Sequence, residues 1–277
     1  MKRREYDRAT SGQVGPKIIP IIQEIPKEQA VTFIQQYHYS KVMPRLNKFF
    51  LGFFMEGRLS GVVALGWGTQ PLQTIRKLFP LHVLKTTDYI EIGKMCFLPG
   101  CNNTQYFGSL VISQMVKWLK ANTRYLYLYT LADGIMGKCG YVYQASNFHY
   151  VGSFTTSVYR DSLTGEKIHP RSARILLEEN AAFDGVARRY WLTFNYCQDK
   201  GIEKINGRMF RYLYPLTKSG RRILQSYPEY QGLAYPKDKD LCFTMRSAPG
   251  TYVPIPQPQF NKEVCQFNVQ RLSLIHI

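Results

Sequence analysis

The stretch "DYIEIGKMCFLPGCNNTQYFGSLVISQMVKWLKANTRYLYLYTLAD", Asp88 to Asp133, decides the fold. Its opening "DYIEIGKMCFLP" reads as a strand closed by the turn-forming Pro99 and Gly100. In "NNTQYFGSLVISQMVKWLK" the apolar residues Phe107, Leu110, Val111, Met115 and Leu119 fall on one helical face. "RYLYLYTLA" then returns to strand character. Strand, glycine-bearing turn, helix and strand in that order make a βαβ unit with a right-handed crossover.

Upstream, "KFFLGFFM", the turn "EGR" and "LSGVVALGWG" make an antiparallel hairpin, so the sheet is mixed. Before that, "PKEQAVTFIQQYHYS" spaces Ala30, Phe33, Ile34 and Tyr37 as a helix and delivers His38 and Tyr39 to its C-terminal end. Downstream come a short helix over "GYVYQASNF", a strand "HYVGSFTTSVYR", a turn at "SLTGE", the polar segment "KIHPRSARILLEEN" and a strand "GRMFRYLYPL". The expected fold is α/β: a mixed sheet with flanking helices over 21–216, after a basic arm at 1–20. Residues 217–277, rich in Pro, Gly, Tyr and Lys without periodicity, are expected to form a tail of low order. The final "LSLIHI" looks like a translated sequencing adapter and is set aside from fold reasoning.

A chain of 277 residues that is 45% hydrophobic can bury one sizeable core. Lys and Arg number 36 against 19 Asp and Glu, a net charge of +17 spread along the chain, which points to a polyanionic partner. A merely basic soluble protein would show the same balance. The six cysteines form no CxxC pair, which argues for reduced thiols in a cytosol and against a disulfide framework or structural zinc. Apolar runs such as "FFLGFFM" are far too short to span a bilayer.

Four groups of residues have chemical potential. Gln105, Gly108 and Ser109, ahead of a helix, resemble a reduced form of the phosphate-holding turn of GCN5-related (GNAT) acyltransferases, although glycine at a helix start also serves capping alone. His38 in "QYHYS" suits a general base or a metal ligand, or a packed aromatic neighbour. Asp133 lies at the C-terminal end of a strand, where open α/β sheets gather ligand sites. Arg171, Arg174 and Arg211, alternating with His169, Tyr212 and Tyr214, suit phosphate grip and base stacking, or a solvated basic edge.

Taken in order, "FIQQYHYSKVMP", "EIGKMCFLP", "YTLADGIMGKCGYVYQASNFHYVG", "GEKIHPRS" and "FRYLYPL" resemble the Mom family of phage DNA-modification proteins, over roughly Gln23 to Leu216. The resemblance implies a GNAT-like fold and conversion of adenine N6 in double-stranded DNA to a carbamoylmethyl derivative, which protects DNA from restriction inside a bacterial host cell. It places the family's functional histidine on His38, its aspartate on Asp133 and its tyrosine on Tyr143, and puts Lys94 where the family has a basic residue in an L-N-R-L-C run. Lysine lacks arginine's bidentate fork. The base must leave the duplex. Tyr39 is then expected to stack it, and Gln144 or Asn147 to read its edge. Two donors suit the implied product, glycyl-tRNA and acetyl-coenzyme A, the second with iron that His38 and Asp133, with Tyr143, could ligate. An ordinary GNAT acyltransferase acting on an amine, or a non-catalytic nucleic-acid-binding module, are the rival readings.

Overall fold

The computed structural model describes residues 19–101, 107–169, 174–187, 190–264 and 267. The βαβ unit is present: β4 (Tyr89–Phe97), α3 (Phe107–Asn122) and β5 (Tyr127–Asp133), with β4 and β5 parallel from Tyr89↔Tyr127 to Ile92↔Thr130. Ahead of it stand β1 (Ile21–Glu24), α1 (Lys27–Tyr37), the hairpin β2 (Leu46–Met55) and β3 (Arg58–Trp67), and α2 (Pro71–Leu78). Glu56 and Gly57 both have positive φ, 50° and 76°, as the tightest hairpin turns require. After β5 come α4 (Tyr141–Gln144), β6 (His149–Asp161), β7 (Lys167–Ile168), α5 (Arg174–Phe183), α6 (Phe194–Asp199) and β8 (Ile202–Pro215). All other strand pairs along the sheet order β1-β2-β3-β4-β5-β8-β6-β7 are antiparallel, so the fold is the expected mixed α/β sheet with helices on its faces.

Alternation along β5 divides the core. Leu128 and Ala132 pack with Val111, Met115 and Leu119 of α3. Tyr127 and Tyr129 pack instead with Ile75 and Leu78 of α2 and with Leu224 of α7 (Lys218–Gln225). On the β2–β4 side, α1 buries Ala30, Phe33 and Ile34 against Val62, Ala64 and Cys96. Among the described residues no helix is long and apolar enough to cross a membrane.

The described residues from Thr217 to Val264 correct the expectation of low order for that part of the segment. Thr217 caps α7 by accepting the Gly220 amide at 3.0 Å. The Tyr235 hydroxyl donates to the Phe148 carbonyl at 2.7 Å. Strand β9 (Thr244–Ala248) pairs with β8 and with β10 (Thr251–Pro254), and Met245, Ile255 and Phe260 pack against Ile135, Val158 and Ile205. Short edge strands and singly anchored aromatics carry no sequence period, so composition alone misjudged this segment. The "LSLIHI" terminus and most of the basic arm lie outside the described residues.

Candidate functional site

The parallel pairing of β4 and β5 stops at Ile92↔Thr130, and the two strands part beyond it. On its other edge β4 is irregular: Ala64 pairs with Lys94 while Leu65 pairs with Ile92, so Gly93 is an extra residue that bends the strand. A side chain at Gly93 would meet Pro44, its ideal Cβ falling 2.9 Å from Cγ. The parted carboxyl ends open a cavity of about 320 Å³, the lower end of the range for small-molecule sites. His38, Tyr39, Lys94, Asp133, Lys138 and Tyr143 all line it. His38, nearly a hundred residues upstream, therefore shares one chamber with Asp133 and Tyr143.

α1 ends at Tyr37, and His38 turns into extended backbone while its amide still donates to Ile34 at 2.9 Å. Its ring stacks on Tyr39 with centroids 4.4 Å apart. Nδ1 lies 2.9 Å from both the amide nitrogen and the carbonyl oxygen of Ser40, and Lys94 Nζ donates to that same carbonyl at 2.8 Å. Burial first, then the charges of Lys94 and Lys138, depress His38 to about 3, so the imidazole is neutral at physiological pH. Burial, aided by the neighbouring Lys167 charge and opposed by Asp133, lowers the Lys94 amine to about 7. The Tyr39 phenol is raised by burial and then by the Asp133 carboxylate, and burial raises Tyr143.

Asp133 treats its two oxygens differently. Oδ2 pairs with Lys167 Nζ at 2.6 Å, both side chains being largely buried. Oδ1 is buried and accepts no hydrogen bond of good geometry among the described residues, although the Tyr39 hydroxyl stands near enough for the carboxylate to hold its proton in place. The Lys138 and Lys167 amines approach the Tyr39 ring at 4.1 and 5.7 Å from its centroid. A neutral imidazole, neutral phenols, an unfilled acceptor and an amine titrating near neutrality together suit proton transfer at a bound amine.

Other expected residues stand elsewhere. Gln144 is not a cavity wall: its Nε2 donates to Tyr212 Oη at 2.9 Å and to the Pro236 carbonyl at 2.9 Å, and its Oε1 accepts from Lys237 at 3.2 Å. That half-buried side chain ties α4 to β8 and to the C-terminal segment. Asn147 is exposed at φ 60°, closing α4 in the left-handed region. Arg174 pairs with Glu178 at 2.8 Å on the surface of α5, and Arg211 sits on β8 with its guanidinium 4.7 Å from the Phe154 ring centroid. None of these four lines the cavity. Gly108 has a packing reason, since its ideal Cβ would fall 2.8 Å from Cγ2 of Val142, where α3 meets α4. Ser109 follows it in the first turn of α3, while Gln105 and Arg171 lie outside the described residues. Lys138 and Lys167 are the residues that sequence reading missed. Lys167 stands inside "GEKIHPRS", where nothing local separates it from any solvated lysine.

His38, Asp133 and Tyr143 make a poor donor set for iron, the Tyr143 phenol being held protonated by burial. Among the described residues no group of three or more His, Cys, Asp or Glu is placed to hold a metal. His38 and Asp133 share their surroundings with the amines of Lys94, Lys138 and Lys167, and one Asp133 oxygen is already committed to Lys167. Such a setting opposes a further cation.

Solved structures with partial likeness include the GNAT family N-acetyltransferase YhbS from Escherichia coli in complex with CoA, at 13% identity over 50% of this chain and 72% of that one with a TM-score of 0.34. A Bacillus subtilis acetyltransferase in complex with CoA shows 12% identity over 73% of this chain and 100% of that one, with a TM-score of 0.36. Likeness at that level says nothing about cofactor or substrate. Among curated relatives, the methylcarbamoylase mom of Escherichia phage Mu is 28% identical over 200 residues, 71% of this chain and 76% of its own length. The Mom protein family profile matches residues 20–237, well over half of the chain, which therefore belongs to the Mom protein family.

Proposed function

We propose that this protein modifies DNA, adding a carbamoylmethyl group at adenine N6 in the duplex and so shielding it from restriction. The observation that carries this reading is the buried Asp133 Oδ1 at the cavity, which no well-formed hydrogen bond fills. A buried carboxylate oxygen without a donor costs about 1–3 kcal/mol, and a bound exocyclic amine would remove that cost. Adenine N6 is such a donor once the base has been extruded from the stack. The Tyr39 ring, packed between His38 and the Lys138 amine, forms part of the wall against which the purine rests, and Asp133 accepts the N6 proton. A net charge of +17 suits binding to the phosphate backbone. The edge-reading role expected of Gln144 and Asn147 passes to the cavity residues.

In the product N6 is bonded to a methylene that carries a terminal amide, a connectivity that simple acetyl transfer cannot give. Transfer of a glycyl group to N6 followed by rearrangement does give it. The glycyl amine attacks C6, the bond from C6 to the original nitrogen breaks, and that nitrogen leaves as the amide, so the second step is an isomerisation. An activated glycine such as glycyl-tRNA is the donor in this route, and the basic surface suits a second nucleic acid. Acetyl-coenzyme A with iron-assisted carbon chemistry is the weaker route, given a donor set that does not suit iron. The phosphate-holding role of Gly108 and Ser109 belongs to that weaker route.

Mass spectrometry of nucleosides from DNA of cells expressing the protein tests the reading. Adenosine heavier by a carbamoylmethyl group is expected, carrying label from glycine, and Asp133→Asn should lower its yield by about 100-fold or more. Unmodified adenosine alone would favour an amine acyltransferase or a binding module.

A further inference from the structure

The β6–β7 hairpin brings Lys167 to Asp133, and the hairpin is itself held by residues from the far end of the chain. The Asn261 amide donates to the Gly165 carbonyl at 2.8 Å, and Glu166 and Asn261 form an isolated bridge. Arg160 Nη1 donates to the Gln259 carbonyl at 3.2 Å, and the Phe260 ring centroid lies 5.7 Å from Lys167 Nζ. Gln257 lies against Gly137 on the cavity rim, where any Cβ would collide with its amide. Residues 257–261 thus run as a strap across the hairpin and up to the cavity, and they lie beyond residue 237, where the family match ends.

We propose that this C-terminal strap seats the hairpin so that Lys167 acts as a positioning residue for Asp133, holding Oδ2 and thereby aiming Oδ1 at the bound amine. This rests on the proposed function for the identity of that amine. The physical need is plain. A carboxylate at the end of a strand rotates about χ2, and a misplacement of 1 Å at a reacting group costs about 100-fold in rate. A buried ion pair across two elements fixes the rotation, provided that both elements are themselves fixed. The β7 strand is two residues long and cannot fix itself. Ile168 is anchored by burial among Leu176, Leu192 and Tyr196, and the strap holds the opposite, Gly165–Lys167 side of the hairpin.

The test uses the full chain with four substitutions and two readouts. Hydrogen exchange over residues 158–168 should quicken in Phe260→Ala and in Asp133→Asn, each of which removes one anchor of the hairpin. Steady-state modification of duplex DNA should show kcat lowered about 100-fold in Lys167→Met with KM for DNA little changed, partial recovery in Lys167→Arg, and a smaller loss of kcat in Phe260→Ala. Wild-type kcat in Lys167→Met, or unchanged exchange in both Phe260→Ala and Asp133→Asn, would overturn the proposal. Should the wild-type protein leave adenosine unmodified, the proposed function fails, while the exchange measurement still decides the strap and its ion pair.

Discussion

Tyr127 and Asp133 stand at opposite ends of β5, and the polar atoms around them are handled in opposite ways. At the Tyr127 end the ring is fully buried, stacks on Phe79 at 4.7 Å, and donates its hydroxyl to the Gly220 carbonyl at 2.8 Å. Its neighbours follow suit: Tyr89 donates to the Pro71 carbonyl at 3.1 Å, Tyr230 to the Leu78 carbonyl at 2.8 Å, and Tyr227 accepts the Leu81 amide at 3.0 Å. Each phenol there closes a gap in the backbone of a helix or loop, which fixes how α2 and α7 dock. At the Asp133 end an acceptor is left open and three amines crowd one carboxylate. Complete pairing at one end serves the fold, and incomplete pairing at the other leaves work for a ligand.

Substitutions can break that contrast. The largest effect on stability is expected from Tyr127→Ala, about 3–5 kcal/mol, because it removes a fully buried ring as well as its hydrogen bond. Modification by the folded fraction should stay at the wild-type level, read by urea unfolding alongside nucleoside analysis. Next comes Gly140→Ala. Gly140 has φ 86°, and an ideal Cβ would lie 2.5 Å from the Tyr212 ring and 3.0 Å from the Ala132 Cβ. A cost of about 1–3 kcal/mol is expected from backbone strain alone. Since α4 carries Tyr143 to the cavity, this variant should lose stability and activity together, a mixed outcome that neither end of β5 shows. Tyr127→Phe is smaller again, about 1–2 kcal/mol, because it strands only the Gly220 carbonyl.

The same contrast explains what could be read from the sequence. The βαβ unit, the hairpin and α1 announce themselves because each is long enough to show its period and is closed by glycine or proline. His38, Asp133 and Tyr143 were singled out through ordered motifs that resemble a family, and they line one cavity. Lys167 was not, since its position depends on a two-residue strand held by a strap nearly a hundred residues later. Gln144 was misjudged for a related reason. Its amide is spent on Tyr212 and on Pro236, and the second partner belongs to a segment whose order has no local signature.

A pH dependence of stability isolates the crowding of amines at the mouth. Lys94 is lowered from 10.5 to about 7 in the folded protein, first by burial and then by the Lys167 charge, with Asp133 opposing. Between those two values the unfolded chain binds more protons at this position than the folded one, so stability should rise as pH increases from about 7 toward 10.5. Below that window both states are protonated and the folded state bears the whole cost of a crowded ammonium. Above it both are neutral and the cost is gone. Lys138 is shifted in the same direction and adds its own slope, so the comparison must be between variants. Urea midpoints for Lys94→Met should exceed wild type at pH 6 and converge with it as the window is crossed. Lys94→Arg, whose guanidinium stays charged throughout, should keep its deficit at every pH. Parallel curves for wild type and Lys94→Met would mean that the amine sits in ordinary solvent, and the mouth of the sheet would then lack the dry, cationic character that sets it apart from the tyrosine end.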